Sequence, residues 1–154
     1  MTKILTLVLA SLIVSVSLHA EIKKTKYANG KTKYERRYSN GVLNGVSRAF
    51  YENGRLKTHT TFKNGKVNGM TTGFYKNGAK KAEIPMYMGK TDGFLKEFYK
   101  NGQLMSVAKY LNGVNVGTKK MYYPDGNIKA KFHFNDDGQF DGTILEYYND
   151  GNKK

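Results

Sequence analysis

Glycines recur in this chain with a period of 24 residues. Elements of the form Tyr-x-Asn/Asp-Gly begin at Tyr27, Tyr51, Tyr75, Tyr99 and Tyr123, and another begins at Tyr148. A second glycine series lies eleven residues after each of the first four elements, and a third lies four residues further on. With Gly138 and Gly142, which continue the second and third series after the fifth element, the three series contain 16 of the 17 glycines. An internal period of this length is typical of a repeat protein, in which each unit packs against its neighbours.

Between the glycines, side chains alternate with a period of two. In residues 55–62 the even positions are apolar or hydroxylated and the odd positions are basic or polar. A strand with one sheltered face has this pattern. Two adjacent aromatic residues, such as Phe50-Tyr51, end a second strand in each repeat. The sequence therefore predicts an all-β fold in which each 24-residue repeat contributes two strands.

Proline 124 indicates the kind of turn that joins the strands. It stands before Asp125-Gly126, and proline is favoured at the first central position of a type I turn. A type I turn followed by a glycine bulge would pair Phe50 with Leu56, whereas a two-residue turn would pair Tyr51 with Leu56. We favour the first arrangement, which predicts that the tyrosines and the preceding aromatic residues point to opposite faces.

The amino-terminal residues have the pattern of a secretory signal peptide. Lys3 precedes an apolar run from Ile4 to Leu18, and Ala20 precedes a charged segment. The run is too short for a stable membrane-spanning helix. We predict a signal peptide at residues 1–20, with an uncleaved anchor as the alternative, and a repeat domain at residues 21–154. The predicted location is the periplasm, the cell surface or the external medium.

The repeat pattern resembles the MORN-repeat variant family. The resemblance rests on the Tyr-x-Asn-Gly elements, on a middle Asn-Gly such as Asn64-Gly65, and on a downstream pair such as Asn68-Gly69. Met88-Gly89 and Asn115-Val116-Gly117 depart from these patterns. The resemblance implies an elongated antiparallel β-meander of about five 24-residue hairpin repeats that form a single twisted sheet. It also implies an interaction module linked to lipids or to proteins. Because bacterial members are often described as antitoxin components, it also implies an alternative function, the neutralisation of a partner toxin by direct binding.

A surplus of basic residues suggests the chemistry of a partner. The chain has 26 Lys and Arg against 12 Asp and Glu, a formal net charge of +14. We expect tyrosines and cations to alternate on one face and to attract phosphate, sulfate or carboxylate groups. The candidate binding residues are Tyr51, Tyr75, Tyr99, Tyr123, Arg55, Lys57, Lys81, Lys129 and Lys131. Lys31, Lys33 and Arg37 are expected on the same face. A structural alternative stays open, in which the tyrosines cover the turns and the lysines keep the sheet soluble.

Side chains for catalysis or metal binding do not cluster in the sequence. Cysteine is absent, which excludes disulfides, zinc thiolates and thiol nucleophiles. His59 and His133 lie three repeats apart, and Asp136, Asp137 and Asp141 are typical of a turn with an insertion. We therefore predict no catalytic residue, no cofactor, no metal site and no small-molecule substrate. The expected function is that of an exported, non-enzymatic binding or scaffold protein for an anionic envelope component, a host surface or a protein. Contact with a membrane surface is compatible with this expectation, and nucleic acid is a less favoured partner because of export.

Overall fold

The computed structural model describes residues 19–154. Residues 1–18, which make up most of the predicted signal peptide, lie outside the described residues, and the cleavage of this segment stays a prediction. Residues 19–154 consist of strands and turns without a helix, so no helix in this part of the chain could cross a bilayer.

Fourteen strands form one antiparallel sheet, which confirms the predicted all-β meander. A strand of eight residues, one of two and one of six follow one another three times along the chain. The strands are β1 (Ala20–Lys26), β2 (Thr32–Ser39), β3 (Val42–Leu43), β4 (Gly45–Phe50), β5 (Leu56–Lys63), β6 (Lys66–Val67), β7 (Gly69–Phe74), β8 (Lys80–Tyr87), β9 (Lys90–Thr91), β10 (Gly93–Phe98), β11 (Leu104–Leu111), β12 (Val114–Tyr122), β13 (Ile128–Phe134) and β14 (Leu145–Glu146).

Strands that are neighbours in sequence are also neighbours in the sheet. The order is β1-β2-β4-β5-β7-β8-β10-β11-β12-β13-β14, and the two-residue strands β3, β6 and β9 pair with the long strands that precede them. Each repeat therefore adds two main strands, and equivalent positions of successive repeats are separated by two strand spacings, about 10 Å.

Two kinds of turn lie at opposite ends of the long strands. We call the Tyr-x-Asn/Asp-Gly elements the tyrosine turns and the two-residue elements 40–41, 64–65, 88–89 and 112–113 the middle turns. Both residues of each middle turn have positive φ, as a type I′ turn requires. In the tyrosine turns only the glycine has positive φ. The backbone thus distinguishes two turns that look alike in sequence.

The two departures from the repeat pattern have different structural consequences. Met88 adopts φ 49°, close to the 50° of Asn64, so the middle turn keeps its shape without asparagine. The next repeat has Asn115-Val116-Gly117 in place of the downstream pair, and there β12 runs without interruption from Val114 to Tyr122. This repeat has no separate two-residue strand.

Burial is confined to small side chains because the sheet is a single layer. Among the described residues, the buried hydrophobic side chains are Ala108, Val116 and Ala130, and the buried polar ones are Ser47 and Ser106. Most other inward side chains are half-buried. Hydrogen bonds between neighbouring repeats therefore contribute a larger share of the cohesion than in a two-layer domain.

Candidate binding surface

Each tyrosine turn is closed by its own backbone and by its asparagine or aspartate side chain. In the second repeat the Gly54 amide donates to the Tyr51 carbonyl at 2.8 Å, and the Tyr51 amide donates to the Arg55 carbonyl at 2.8 Å. The Asn53 side-chain oxygen accepts from the Arg55 amide at 3.0 Å. Gly54 has φ 90°. This is the predicted type I turn with a glycine bulge.

The predicted strand pairing next to these turns is confirmed. Phe50 is the direct partner of Leu56, and Tyr122 is the direct partner of Ile128. Pro124 occupies the first central position of its turn, since the Gly126 amide donates to the Tyr123 carbonyl at 2.9 Å. The inference from one proline therefore holds for the other tyrosine turns.

The tyrosine hydroxyls connect each repeat to the next. The Tyr51 hydroxyl donates to the Phe74 carbonyl at 2.7 Å, and the Tyr75 hydroxyl donates to the Phe98 carbonyl at the same distance. Three other tyrosines make the equivalent bond at 2.7 to 2.9 Å: Tyr27, Tyr99 and Tyr123. All five rings are half-buried. The hydroxyls are thus engaged within the protein, and this supports the structural alternative for the polar end of each ring.

Side chains of the turn residues add further bonds between repeats. The Asn101 amide donates to the Pro124 carbonyl at 3.1 Å, and the Asn29 amide donates to the Glu52 carbonyl at 3.0 Å. The Arg55 guanidinium donates to the Lys76 carbonyl at 3.3 Å. Arg55, a predicted binding residue, therefore also joins two adjacent turns.

A second irregularity of the backbone places a lysine beside four of the tyrosine rings. Between β4 and β5 the pairing passes from Ala49 with Thr58 to Phe50 with Leu56, which leaves Lys57 without a partner. Such a bulge redirects the side chain of the extra residue. The residues at the equivalent bulges are Lys33, Lys57, Lys81, Met105 and Lys129. We call the four lysines of this set the lysine column.

Each lysine of the column lies over the ring of the tyrosine turn in its own hairpin. The Lys57 ammonium is 5.7 Å from the centre of the Tyr51 ring, and the Lys81 ammonium is 5.8 Å from the centre of the Tyr75 ring. The corresponding distances are 5.7 Å for Lys129 with Tyr123 and 5.5 Å for Lys33 with Tyr27. These are cation–π distances.

The structure brings together most of the predicted binding residues, but not all in one arrangement. Six of the predicted residues meet as three pairs, which the sequence did not predict: Tyr51 with Lys57, Tyr75 with Lys81 and Tyr123 with Lys129. Tyr99 has Met105 at the place of the lysine. Lys131 lies 5.5 Å from the centre of the Tyr147 ring instead. The prediction omitted Tyr27, although its spacing from Tyr51 and its Asn29-Gly30 pair mark it as a member of the series.

The lysine column is not neutralised by acids of the described chain. The four ion pairs within residues 19–154 join Lys23 with Glu21, Lys24 and Arg48 with Glu35, and Lys80 with Glu83. None of them includes a lysine of the column. Three of the column's side chains are exposed and that of Lys33 is half-buried. The ammonium groups therefore remain available to an external anion.

Two ionisable groups of the tyrosine turns have shifted pKa values. Burial, with a smaller contribution from the Glu52 carboxylate, raises the pKa of Tyr27. The hydrogen bond from the Asn127 amide holds the pKa of Asp125 below its ordinary value. The Tyr27 shift follows from the packing of its ring beside the next repeat, and the Asp125 shift follows from the closure of its own turn.

The histidines and the acidic loop do not form a metal centre. His59 lies on β5 and His133 on β13. In the loop after β13, the Asn135 side-chain oxygen accepts from the Asp137 and Gln139 amides, so the loop is closed as a turn. Within residues 19–154 no three His, Cys, Asp or Glu side chains lie close enough together to hold a metal ion.

Comparison with known families supports the resemblance of these repeats to the MORN-repeat variant family. The MORN repeat variant model matches residues 43–64, 92–112 and 115–136. The three segments cover less than half of the chain. Each begins near a glycine of the third series and ends near the next glycine of the second series. No curated protein matches the chain. The match indicates a repeat scaffold of the kind that binds other molecules, and it does not support an antitoxin role.

Proposed function

We propose that this chain is an exported, non-enzymatic binding protein whose lysine column engages an anionic partner. The observation that carries the proposal is the recurrence of an unneutralised lysine at the same bulge in four of five repeats. A solubilising charge could stand at many surface positions, whereas these lysines occupy one backbone feature and keep one relation to a tyrosine ring.

The tyrosines support the proposal because their fixed rings restrict the lysines beside them. Their hydroxyls are bonded within the protein and take no part in the proposed contact. Each ring is held by a hydrogen bond to the next repeat, and each lysine stem lies beside a ring that cannot move freely. Restricting a cation before binding reduces the entropy lost when a ligand orders it. The column is thus a set of partly preorganised charges.

Salt dependence and matched charge reversals test the proposal. We expect the purified chain without residues 1–20 to bind a heparin resin at low salt and to elute as the ionic strength rises, because exposed charges are screened. The variant K57E/K81E/K129E should lose about tenfold or more in affinity. The control K63E/K66E/K90E carries the same charge change on exposed residues near the middle turns.

The outcomes distinguish binding by the lysine column from binding that depends only on the total positive charge. Equal losses in the two triple variants would contradict a role for the column, and salt-independent binding would contradict the electrostatic mechanism. Circular dichroism of both variants checks that the sheet is intact. No observation on residues 19–154 specifically favours the antitoxin alternative, which stays an implication of the resemblance.

A further inference from the structure

We propose that the anionic partner is a linear acidic polysaccharide that crosses the strands along the lysine column. This inference rests on the proposed function and specifies its ligand. It starts from the even spacing of the lysines in the column. A surface that merely attracts anions would not need such even spacing.

The first argument is the distance between equivalent lysines. Lys33, Lys57 and Lys81 are 24 residues apart, and each step crosses two strands, about 10 Å. The same step leads to Met105 and then to Lys129. The column therefore spans four steps, about 38 Å, with one vacant place. A ligand with evenly spaced charges can meet several of these lysines at once.

The second argument is the shape of the sheet. Adjacent strands rotate by about 20 to 25° relative to one another. Eight strand steps separate Lys33 from Lys129, so the column turns through roughly half a revolution. A planar bilayer can face only part of such a column. A linear chain can follow all of it.

The third argument is the direction of the column relative to the strands. A polypeptide that adds to a sheet must run parallel to an edge strand in order to use its backbone hydrogen bonds. The lysine column runs across the strands, and the strands that carry it are already paired with one another. An acidic polypeptide would gain only charge contacts there and would lose much conformational freedom. A chain of sugar rings is stiffer and loses less.

Length dependence is the first part of the test. Heparin oligosaccharides of defined length should bind with increasing affinity until they span about 38 Å, and longer ones should gain little more per chain. Affinity that is independent of length would overturn the inference. Polyglutamate and phosphatidylglycerol vesicles serve as competing probes, and tighter binding of either at equal charge concentration would also overturn it.

The vacant place at Met105 allows a gain of binding to be tested. Met105→Lys completes the column over Tyr99, and we expect about a 2- to 5-fold higher affinity for oligosaccharides that span the column. Short oligosaccharides should gain less. The control Met88→Lys adds the same charge at a middle turn, where the side chain is exposed. Equal gains in the two variants would overturn the proposed path of the polysaccharide.

Failure of this inference is distinguishable from failure of the proposed function. If the wild-type chain binds polyanions through the column but favours vesicles or polyglutamate, the polysaccharide is wrong and the binding function stands. If it binds none of the three probes at low salt, both proposals fail.

Discussion

The two ends of the long strands hold neighbouring repeats together by different means. At the tyrosine turns the bond comes from a side chain, as when the Tyr75 hydroxyl donates to the Phe98 carbonyl. At the middle turns it comes from the backbone, since the Gly65 amide donates to the Leu43 carbonyl and the Gly89 amide donates to the Val67 carbonyl, both at 2.8 Å. One end depends on which side chain is present. The other depends on the conformation of the glycine.

This difference accounts for the positions at which the repeats vary. Met88 can replace asparagine in a middle turn because the bond to the preceding repeat is made by Gly89. In five of the six tyrosine turns the tyrosine hydroxyl is itself the donor of the bond to the next repeat, so a side chain without a hydroxyl at that place would lose the bond. Substitutions at the two ends should therefore have different consequences.

The largest effect is expected from Gly93→Ala, next to a middle turn. Gly93 has φ 114°, and a Cβ atom there would approach the Pro85 ring to 3.1 Å. Backbone strain and crowding together should lower the free energy of unfolding by about 2 to 3 kcal/mol. Gly89→Ala is the control, because it has positive φ but open space around the new methyl group. Equal destabilisation in urea would show that strain alone acts and that the contact with Pro85 does not.

At the tyrosine turns, Tyr75→Phe should lower the free energy of unfolding by about 1 kcal/mol. The change removes the bond to the Phe98 carbonyl and leaves the ring beside Lys81. A decrease of about 2 to 5 °C in the melting temperature is expected. Tyr87→Phe is a suitable control, since that ring is 61% exposed. If Tyr75→Phe has the same melting temperature as the wild type, the bonds from the tyrosine hydroxyls do not hold the repeats together.

A smaller and opposite effect is expected from Met88→Asn. Asparagine tolerates positive φ better than methionine, so the variant should gain about 0.5 kcal/mol. The reciprocal change Asn64→Met should lose a similar amount. Chemical denaturation of the two variants measures both effects. A loss on Met88→Asn would mean that the methionine side chain makes a contribution beyond its backbone conformation.

The smallest effect concerns acid stability at a tyrosine turn. Because the pKa of Asp125 is lowered in the folded chain, its contribution is present above the pKa of the unfolded carboxyl group and is lost as the pH falls through the folded value. Asp125→Asn supplies the residue found at Asn101 and should remove this part of the pH dependence. Melting curves from neutral to acidic pH test it, with Asp136→Asn as the control. Identical pH profiles for wild type and Asp125→Asn would contradict the assignment.

Much of the fold could be predicted because the repeats share one pattern, so an inference made at one position applies to the equivalent positions. One proline at position 124 identified the turn type for all the tyrosine turns, since they share a backbone. The alternation of side chains predicted the strands, but it assumed an uninterrupted pleat and therefore missed the bulge at Lys57. A bulge of this kind leaves no distinct residue type in the sequence, because the extra residue can be lysine or methionine.

The candidate site was predicted in composition but not in arrangement. The sequence placed tyrosines and lysines on one face, and the structure pairs Lys57 with Tyr51 and Lys129 with Tyr123. It could not show that the hydroxyls donate to the next repeat, because their acceptors are backbone carbonyls, which every residue has. Arg55 was assigned to binding by charge alone, and its bond to the Lys76 carbonyl depends on the approach of a neighbouring turn.

The amino-acid sequence by itself determined the period, the strand class and the turn chemistry of this protein, because glycine, proline and alternating polarity act over a few residues. The tertiary structure decided which tyrosine atoms are occupied, which lysines lack an acidic partner and where the vacant place of the column lies. The hydroxyl bonds join residues 23 or 24 positions apart, and the bulges depend on the register of paired strands, so only the pairing of complete strands decides them.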